Sequence, residues 1–191
     1  MRRLWRWIKS KFHRHVPSKP VEYTPPPKPD TTVPSAGRTV SMAGIALIIK
    51  FEGFSAKPYL DCGGVPTIGY GTIKYANGRM VTMNDTPLTK EQAKEELMYE
   101  VNQKVKWLNN ALDKYKFKAT QYEFDALASF AYNVGIGRIT NIHTSSVARA
   151  LKSRDRVGVV RGMMRYTRAG GRTIRGLVRR RKAEVKMFKG E

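Results

Sequence analysis

An abrupt change of composition near residue 41 constrains this chain more than any other feature. Seven of its ten prolines, Pro17, Pro20, Pro25, Pro26, Pro27, Pro29 and Pro34, precede that point. Residues 24–29 (TPPPKP) favour extended polyproline backbone, which has no internal hydrogen bonds and builds no core. Residues 17–40 therefore read as a linker, and residues 41–191 have to supply a folded domain of ordinary size. Ahead of the linker, residues 1–16 place Leu4, Trp5, Trp7, Ile8 and Phe12 on one helical face, with Arg2, Arg3, Arg6, Lys9 and Arg14 mostly opposite. That arm has two readings: a cationic amphipathic helix suited to an anionic membrane surface or lipopolysaccharide, or a solvated tail, because isolated helices this short are marginal in water.

Charge narrows the partners without choosing among them. The 191 residues carry 36 Lys and Arg against 15 Asp and Glu, a formal net charge of +21 and a pI near 10.3. Such a surface attracts nucleic acid, lipid head groups or an acidic wall polymer. The best apolar run, MAGIALII at 42–49, falls short of the roughly 18–20 residues that a membrane-spanning helix needs. The first residues lack the apolar stretch of a secretory signal. A single cysteine, Cys62, excludes an intramolecular disulfide framework and any multi-cysteine metal site. With His13, His15 and His143 as the only histidines, neither a metal nor a cofactor is expected.

From Met42 the pattern is globular. Residues 42–51 form a helix-length apolar stretch, after which glycines punctuate two short runs, IGYGTIKY and RMVTM, that read as small antiparallel strands. Thr89 with Gln92 predicts a capped helix running to about Leu112, through Ala93, Leu97, Val101, Val105 and Leu108. Residues 120–134 repeat the helical period through Phe124, Leu127, Ala128 and Ala131, and Gly135 and Gly137 are expected to stop it. Shorter helices are predicted near 145–152, 156–165 and 176–188, the last after an Ala169-Gly170-Gly171 turn. The expected class is α+β, mostly helical, with one small sheet.

The scarce carboxylates can be weighed singly. Glu91, Glu95, Glu96, Glu100 and Asp113 read as a solvated helix face. Glu52 closes an apolar helix (IALIIKFE) and enters a turn at Gly53, which puts its carboxyl at the edge of a hydrophobic wall. A carboxylic acid in such surroundings is kept protonated by partial burial, as a general acid requires. Asp61 lies in a polar turn before Cys62-Gly63-Gly64, where a carboxylate is expected to stay ionised. Two carboxylates in contrasting settings form a candidate acid and base pair. Thr67 opens TIGYGT, and its hydroxyl reads either as a strand threonine or as a group that orients a water for Asp61.

The spacing of Glu52, Asp61 and Thr67 in FEGFSAKPYLDCGGVPTIGYGT resembles the Glu/Asp/Thr signature of phage-type lysozymes, the endolysin muramidases. QYEFDALASFAYNVGIG (121–137), TSSVARAL (144–151) and AGGRTIRGLVRRRKAEVKMF (169–188) are similar to that family's helical segments, so the resemblance covers roughly 42–189. It implies a two-lobed lysozyme-like fold, with a β-hairpin lobe and a larger helical lobe facing it across a saccharide cleft. It implies hydrolysis of the β-1,4 bond between N-acetylmuramic acid and N-acetylglucosamine in peptidoglycan. Glu52 would be the general acid, and Asp61 and Thr67 would hold the water on the opposite face, with inversion. The resemblance further implies a monomer that accumulates in the host cytoplasm and meets the wall once the membrane is breached. A lytic transglycosylase on a similar fold is the alternative, opposed by the presence of Asp61 and Thr67.

The resemblance places Asn133 among residues that line the cleft, where its amide suits an N-acetyl group; its other reading is a helix C-cap. Tyr166 stands where the family usually has Trp, as a core or cleft-floor aromatic. Arg175 stands where a proline is frequent. One of Arg179, Arg180 and Arg181 is expected to pair with Glu52, with the other two directed elsewhere. Cys62 is either an inert thiol or a redox-sensitive residue beside Asp61. Residues 149–189 hold fifteen Lys or Arg and two acids, Asp155 and Glu184. A non-catalytic nucleic-acid-binding module would look similar by charge, but Tyr166 and Phe188 are the only aromatics there, so no specific nucleic-acid partner is expected.

Overall fold

A computed structural model describes residues 22–23, 37–61 and 63–191. The predicted arm at 1–16, most of the predicted linker and Cys62 lie outside the described residues. In chain order the elements are α1 (Met42–Glu52), β1 (Ser55–Leu60), β2 (Pro66–Gly69), α2 (Lys90–Lys114), α3 (Gln121–Val134), α4 (Gly137–Thr140), α5 (Ser146–Lys152), α6 (Arg156–Met163), β3 (Arg168–Ala169), β4 (Arg172–Thr173) and α7 (Arg175–Phe188). The described residues are mostly helical, with two small antiparallel hairpins, β1–β2 and β3–β4. It divides into two compact units. The smaller takes Glu52–Tyr99 with residues 22–23, and the larger takes 37–51 and Glu100–Glu191.

The smaller unit is built on the β1–β2 hairpin. Tyr59 pairs with Thr67 and Leu60 with Pro66, and an irregularity separates these pairs from Ser55–Gly69. The two runs read as strands from glycine spacing are only partly so. IGYGTIKY contributes the end of β2, while 72–80 make isolated bridges, Ile68–Thr72 and Lys74–Met80. The principal partner strand is SAKPYL, whose weak alternation and internal Pro58 disguise it. Val65, Ile68, Tyr70, Tyr75, Val81 and Leu88 are buried, as are Ala93 and Leu97 in the first turns of α2. Gly69, at φ 65°, is obligatory, because a Cβ there would fall 2.9 Å from that of Ala93. Tyr23 rests on this unit: its hydroxyl donates to Glu95 Oε2 at 3.3 Å and its ring meets Tyr75 edge-on at 6.2 Å.

In the larger unit α3 is the central helix, buried from Glu123 to Ala131. Its start is a complete capping box. Thr120 accepts from the Glu123 N–H, and the Glu123 carboxylate accepts from the Thr120 N–H. The Thr89–Gln92 box at the head of α2 is reciprocal in the same way. Helix α1 reaches α3 through Gly44, whose absent Cβ would collide with Asp125 Cγ at 2.8 Å. Asp125, almost fully buried, accepts from the backbone N–H and hydroxyl of Ser41 and from Gln121, supplying a negative charge at the N-terminus of α1. The carbonyls of Arg38 and Thr39 accept from Asn109 and Gln121, so 38–39, assigned to the linker by composition, are bonded to the helices. Gly135, at φ 90°, stops α3, whereas Gly137 opens α4 instead of extending the stop. The Ala169-Gly170-Gly171 turn is the tip of the β3–β4 hairpin, and α7 begins at Arg175 with no side-chain cap.

Candidate active site

The smaller unit holds the three residues of the Glu/Asp/Thr signature. Glu52 is the last residue of α1, half-buried, and the chain turns away at Gly53, φ 71°. Gly71, φ 97°, approaches it: a Cβ built on Gly71 would lie 3.9 Å from Glu52 Oε2. The positive φ makes this a position where an L side chain is strained.

Asp61 follows β1 directly. Its Oδ1 accepts from the N–H groups of Gly63 at 2.7 Å and Val65 at 2.9 Å. Its own N–H donates to Val65 O at 3.0 Å, and its carbonyl accepts from Gly64. The turn is therefore not the loose, exposed segment that its glycines suggest. It is a tight loop wound around one carboxylate oxygen, with Asp61 half-buried. Thr67, on β2, is buried and donates its hydroxyl hydrogen to Val65 O at 2.9 Å. Asp61 and Thr67 thus grip the same residue, Val65, the first by its N–H and the second by its carbonyl. With its hydrogen committed to Val65, the Thr67 oxygen presents only acceptor capacity.

In the larger unit, α7 supplies a network that composition does not reveal. Glu184 is fully buried, and Arg180 Nε and Arg181 Nε both lie 3.0 Å from its carboxylate. Ser129 on α3 donates to the same group at 2.8 Å. Burial pushes the Glu184 carboxyl above its ordinary range, against the pull of Arg181 and Arg180. Of the three consecutive arginines, Arg180 and Arg181 turn inward onto Glu184, and Arg179 is exposed. Arg181 also donates to Asn133 Oδ1 at 2.8 Å, and Arg180 lies 5.7 Å from the Phe51 ring centre beside Glu52 in sequence. Asn133 is exposed and sits inside α3; the C-cap is Gly135. Tyr166 is half-buried and packs edge-on against Phe130 at 5.2 Å, with the Arg138 guanidinium 5.4 Å from its ring centre.

The solvated-face reading fails for Glu96. It is buried and accepts from the Ala76 N–H at 2.8 Å, and burial raises its pKa. Asp85 is a further buried carboxylate, held by Arg79 at 2.8 Å, Thr82 and Tyr75. Burial opposes its ionisation, but those hydrogen bonds outweigh burial and hold it below the usual carboxylate range. Among the described residues no cluster of three metal-ligating side chains occurs, and no helix is long and apolar enough to cross a membrane.

Comparison with known proteins agrees with the fold. The phage lysozyme family profile matches residues 49–184. The endolysin of Bacillus phage PZA is 36% identical over 149 residues, covering 78% of this chain and 54% of that protein. The chain thus spans about half the length of that relative. Among solved structures, the endolysin from Escherichia coli O157:H7 phage FAHEc1 superposes with a TM-score of 0.70 at 34% identity, covering 79% of this chain and 93% of that one. The muramidase domain of SpmX from Asticaccaulis excentricus gives 0.66 at 29% identity, with 79% and 98% covered. With a family match over more than half its length, a fold shared with these enzymes and the Glu52, Asp61 and Thr67 spacing, the chain belongs to the phage lysozyme family.

Proposed function

We propose that the protein is an endolysin that hydrolyses the β-1,4 bond between N-acetylmuramic acid and N-acetylglucosamine in bacterial peptidoglycan. The observation that carries this reading is the shared grip of Asp61 and Thr67 on Val65. A water placed there donates one hydrogen to the Asp61 carboxylate and the other to the Thr67 oxygen, which aims its lone pair at the anomeric carbon. The Glu52 carboxyl protonates the glycosidic oxygen, the C–O bond breaks, and the water attacks from the opposite face while its proton passes to Asp61. Inversion follows, and requires the two carboxyl groups about 6.5–9.5 Å apart, against about 5–5.5 Å for retention. In the larger unit, Arg181 holds the Asn133 amide oxygen, which leaves the amide NH2 as donor to an N-acetyl carbonyl of the glycan. Tyr166 is the aromatic floor of the same subsite. The protein works as a monomer, accumulates in the host cytoplasm and reaches the wall after the membrane is permeabilised. Residues 1–16 are the arm that meets anionic lipid or lipopolysaccharide.

The test is mass spectrometry of the products from purified sacculi treated with wild type and with Glu52→Gln. Reducing muramic acid ends are expected from wild type alone, with a rate loss of at least about 10²-fold in the variant and an unchanged unfolding midpoint. Cleavage that survives in Glu52→Gln removes Glu52 from its role. Anhydro ends mean a transglycosylase instead.

A further inference from the structure

An open depression of about 540 Å³ on the larger unit is lined by Lys114, Lys116, Lys152, Arg154, His143 and Asn141, among others, and by no carboxylate. Among the described residues none of these four lysines and arginines is ion-paired. The neighbouring Asp155 is engaged elsewhere, capping α6 by accepting from the Gly158 N–H at 2.8 Å.

The backbone singles out the same place. Lys116, φ 52°, and Arg154, φ 59°, are the only non-glycine residues with positive φ among the described residues, and both line this depression. Each is the second residue beyond a helix, where the chain reverses. Lys116 N–H bonds Asp113 O at 2.9 Å while Phe117 N–H reaches back to Leu112 O. Arg154 N–H bonds Leu151 O at 3.0 Å while Asp155 N–H reaches Ala150 O. Glycine is the usual occupant of this position, because an L side chain is strained there. Attraction between a cation and the helix C-terminus does not account for the choice. Lys114 and Lys152 already occupy the last turns of α2 and α5. Two strained corners thus each carry a charge where glycine would fit better, and both charges face one hollow. Strain of this kind collects where geometry serves a ligand.

We infer that this depression is a binding site for a phosphate ester carried on an envelope glycan. Four cations from two chain segments, with the Arg154 fork among them, match a phosphate ester, which carries one or two negative charges on two or three free oxygens. The glycan as carrier rests on the wall-degrading function proposed above, whereas the phosphate site rests on the hollow itself. Two sources share this chemistry: the phosphorylated diglucosamine headgroup of an outer-membrane glycolipid, and a poly(glycerol phosphate) wall polymer.

The test is a titration of the ¹⁵N-labelled full chain with inorganic phosphate, then with each phosphorylated glycan fragment, at constant ionic strength. Saturable shifts confined to the amides of Lys116, Asn141, His143 and Arg154 are expected, with one of the two fragments binding more tightly than free phosphate and so identifying the source. Lys116→Gly combined with Arg154→Gly keeps both turns. It is expected to weaken binding roughly tenfold or more without lowering the unfolding midpoint. Equal binding by this double variant overturns the site, as do unsaturable shifts spread over the whole cationic surface. If neither fragment exceeds free phosphate, the glycan carrier is wrong. An inactive wild type that still binds phosphate sinks the enzymatic function and leaves the site. An active enzyme without saturable binding does the reverse.

Discussion

Asp85 shows how a buried charge reports on pH. Its folded-state pKa lies below the unfolded value, so its contribution to stability is present above the unfolded pKa and is lost as pH falls through the folded one. Asp85→Asn retains the shape but weakens the bonds from Arg79, Thr82 and Tyr75. A loss of about 1–3 kcal/mol at pH 7 is expected, shrinking toward zero in denaturant melts carried out in acid below the folded pKa. A difference that stays constant with pH would show that the carboxylate's charge is not what counts. Glu52, Asp61 and Thr67 can be proposed from the sequence because their spacing resembles a family signature. Asp125, Glu96 and Glu184 were not. Their burial depends on Ser41, 84 residues away, on Ala76, 20 away, and on Ser129, 55 away, and no local pattern encodes such partners.

At the level of elements, the signals that hold are those written within four residues. The Thr89 and Thr120 boxes start α2 and α3 where they are expected, because both halves of each reciprocal bond lie three positions apart. Strand β1 fails the same kind of reading, since its pairing is fixed by β2 across a turn that Asp61 organises. Helix α7 combines both cases: its period is visible, but which arginines face inward is decided by Glu184 and Ser129. Glu184→Gln removes the buried charge that Arg180 and Arg181 share. It is expected to cost about 3–5 kcal/mol, read as a lowered denaturation midpoint. Arg179→Gln, on the exposed side of the same turn, is expected to change stability by less than about 0.5 kcal/mol. Comparable losses in the two variants would remove Glu184 as the anchor of the helix.

At the level of the molecule, composition separates the proline-rich first forty residues from the rest and shows an excess of cations. It could not reveal that the fold divides into two units, because that division does not follow the order of the chain. Residues 37–51 belong to the larger unit, the chain then builds the smaller one through Tyr99, and only afterwards returns. The bonds from Ser41 to Asp125 close a loop of 84 residues, whereas the smaller unit from Glu52 to Tyr99 is continuous. During synthesis, α1 therefore emerges long before the helix that covers it, and its apolar face at Ile45 and Ile48 must wait while the hairpin unit has everything it needs. Loop-closure entropy favours the same order in refolding. Amides of 65–75 are expected to gain protection from hydrogen exchange before those of 44–48 in a pulse-labelling experiment, and simultaneous protection would contradict this. The first helix of the domain is in this sense the last to be folded, and its exposed interval is when the nascent chain is most prone to aggregate.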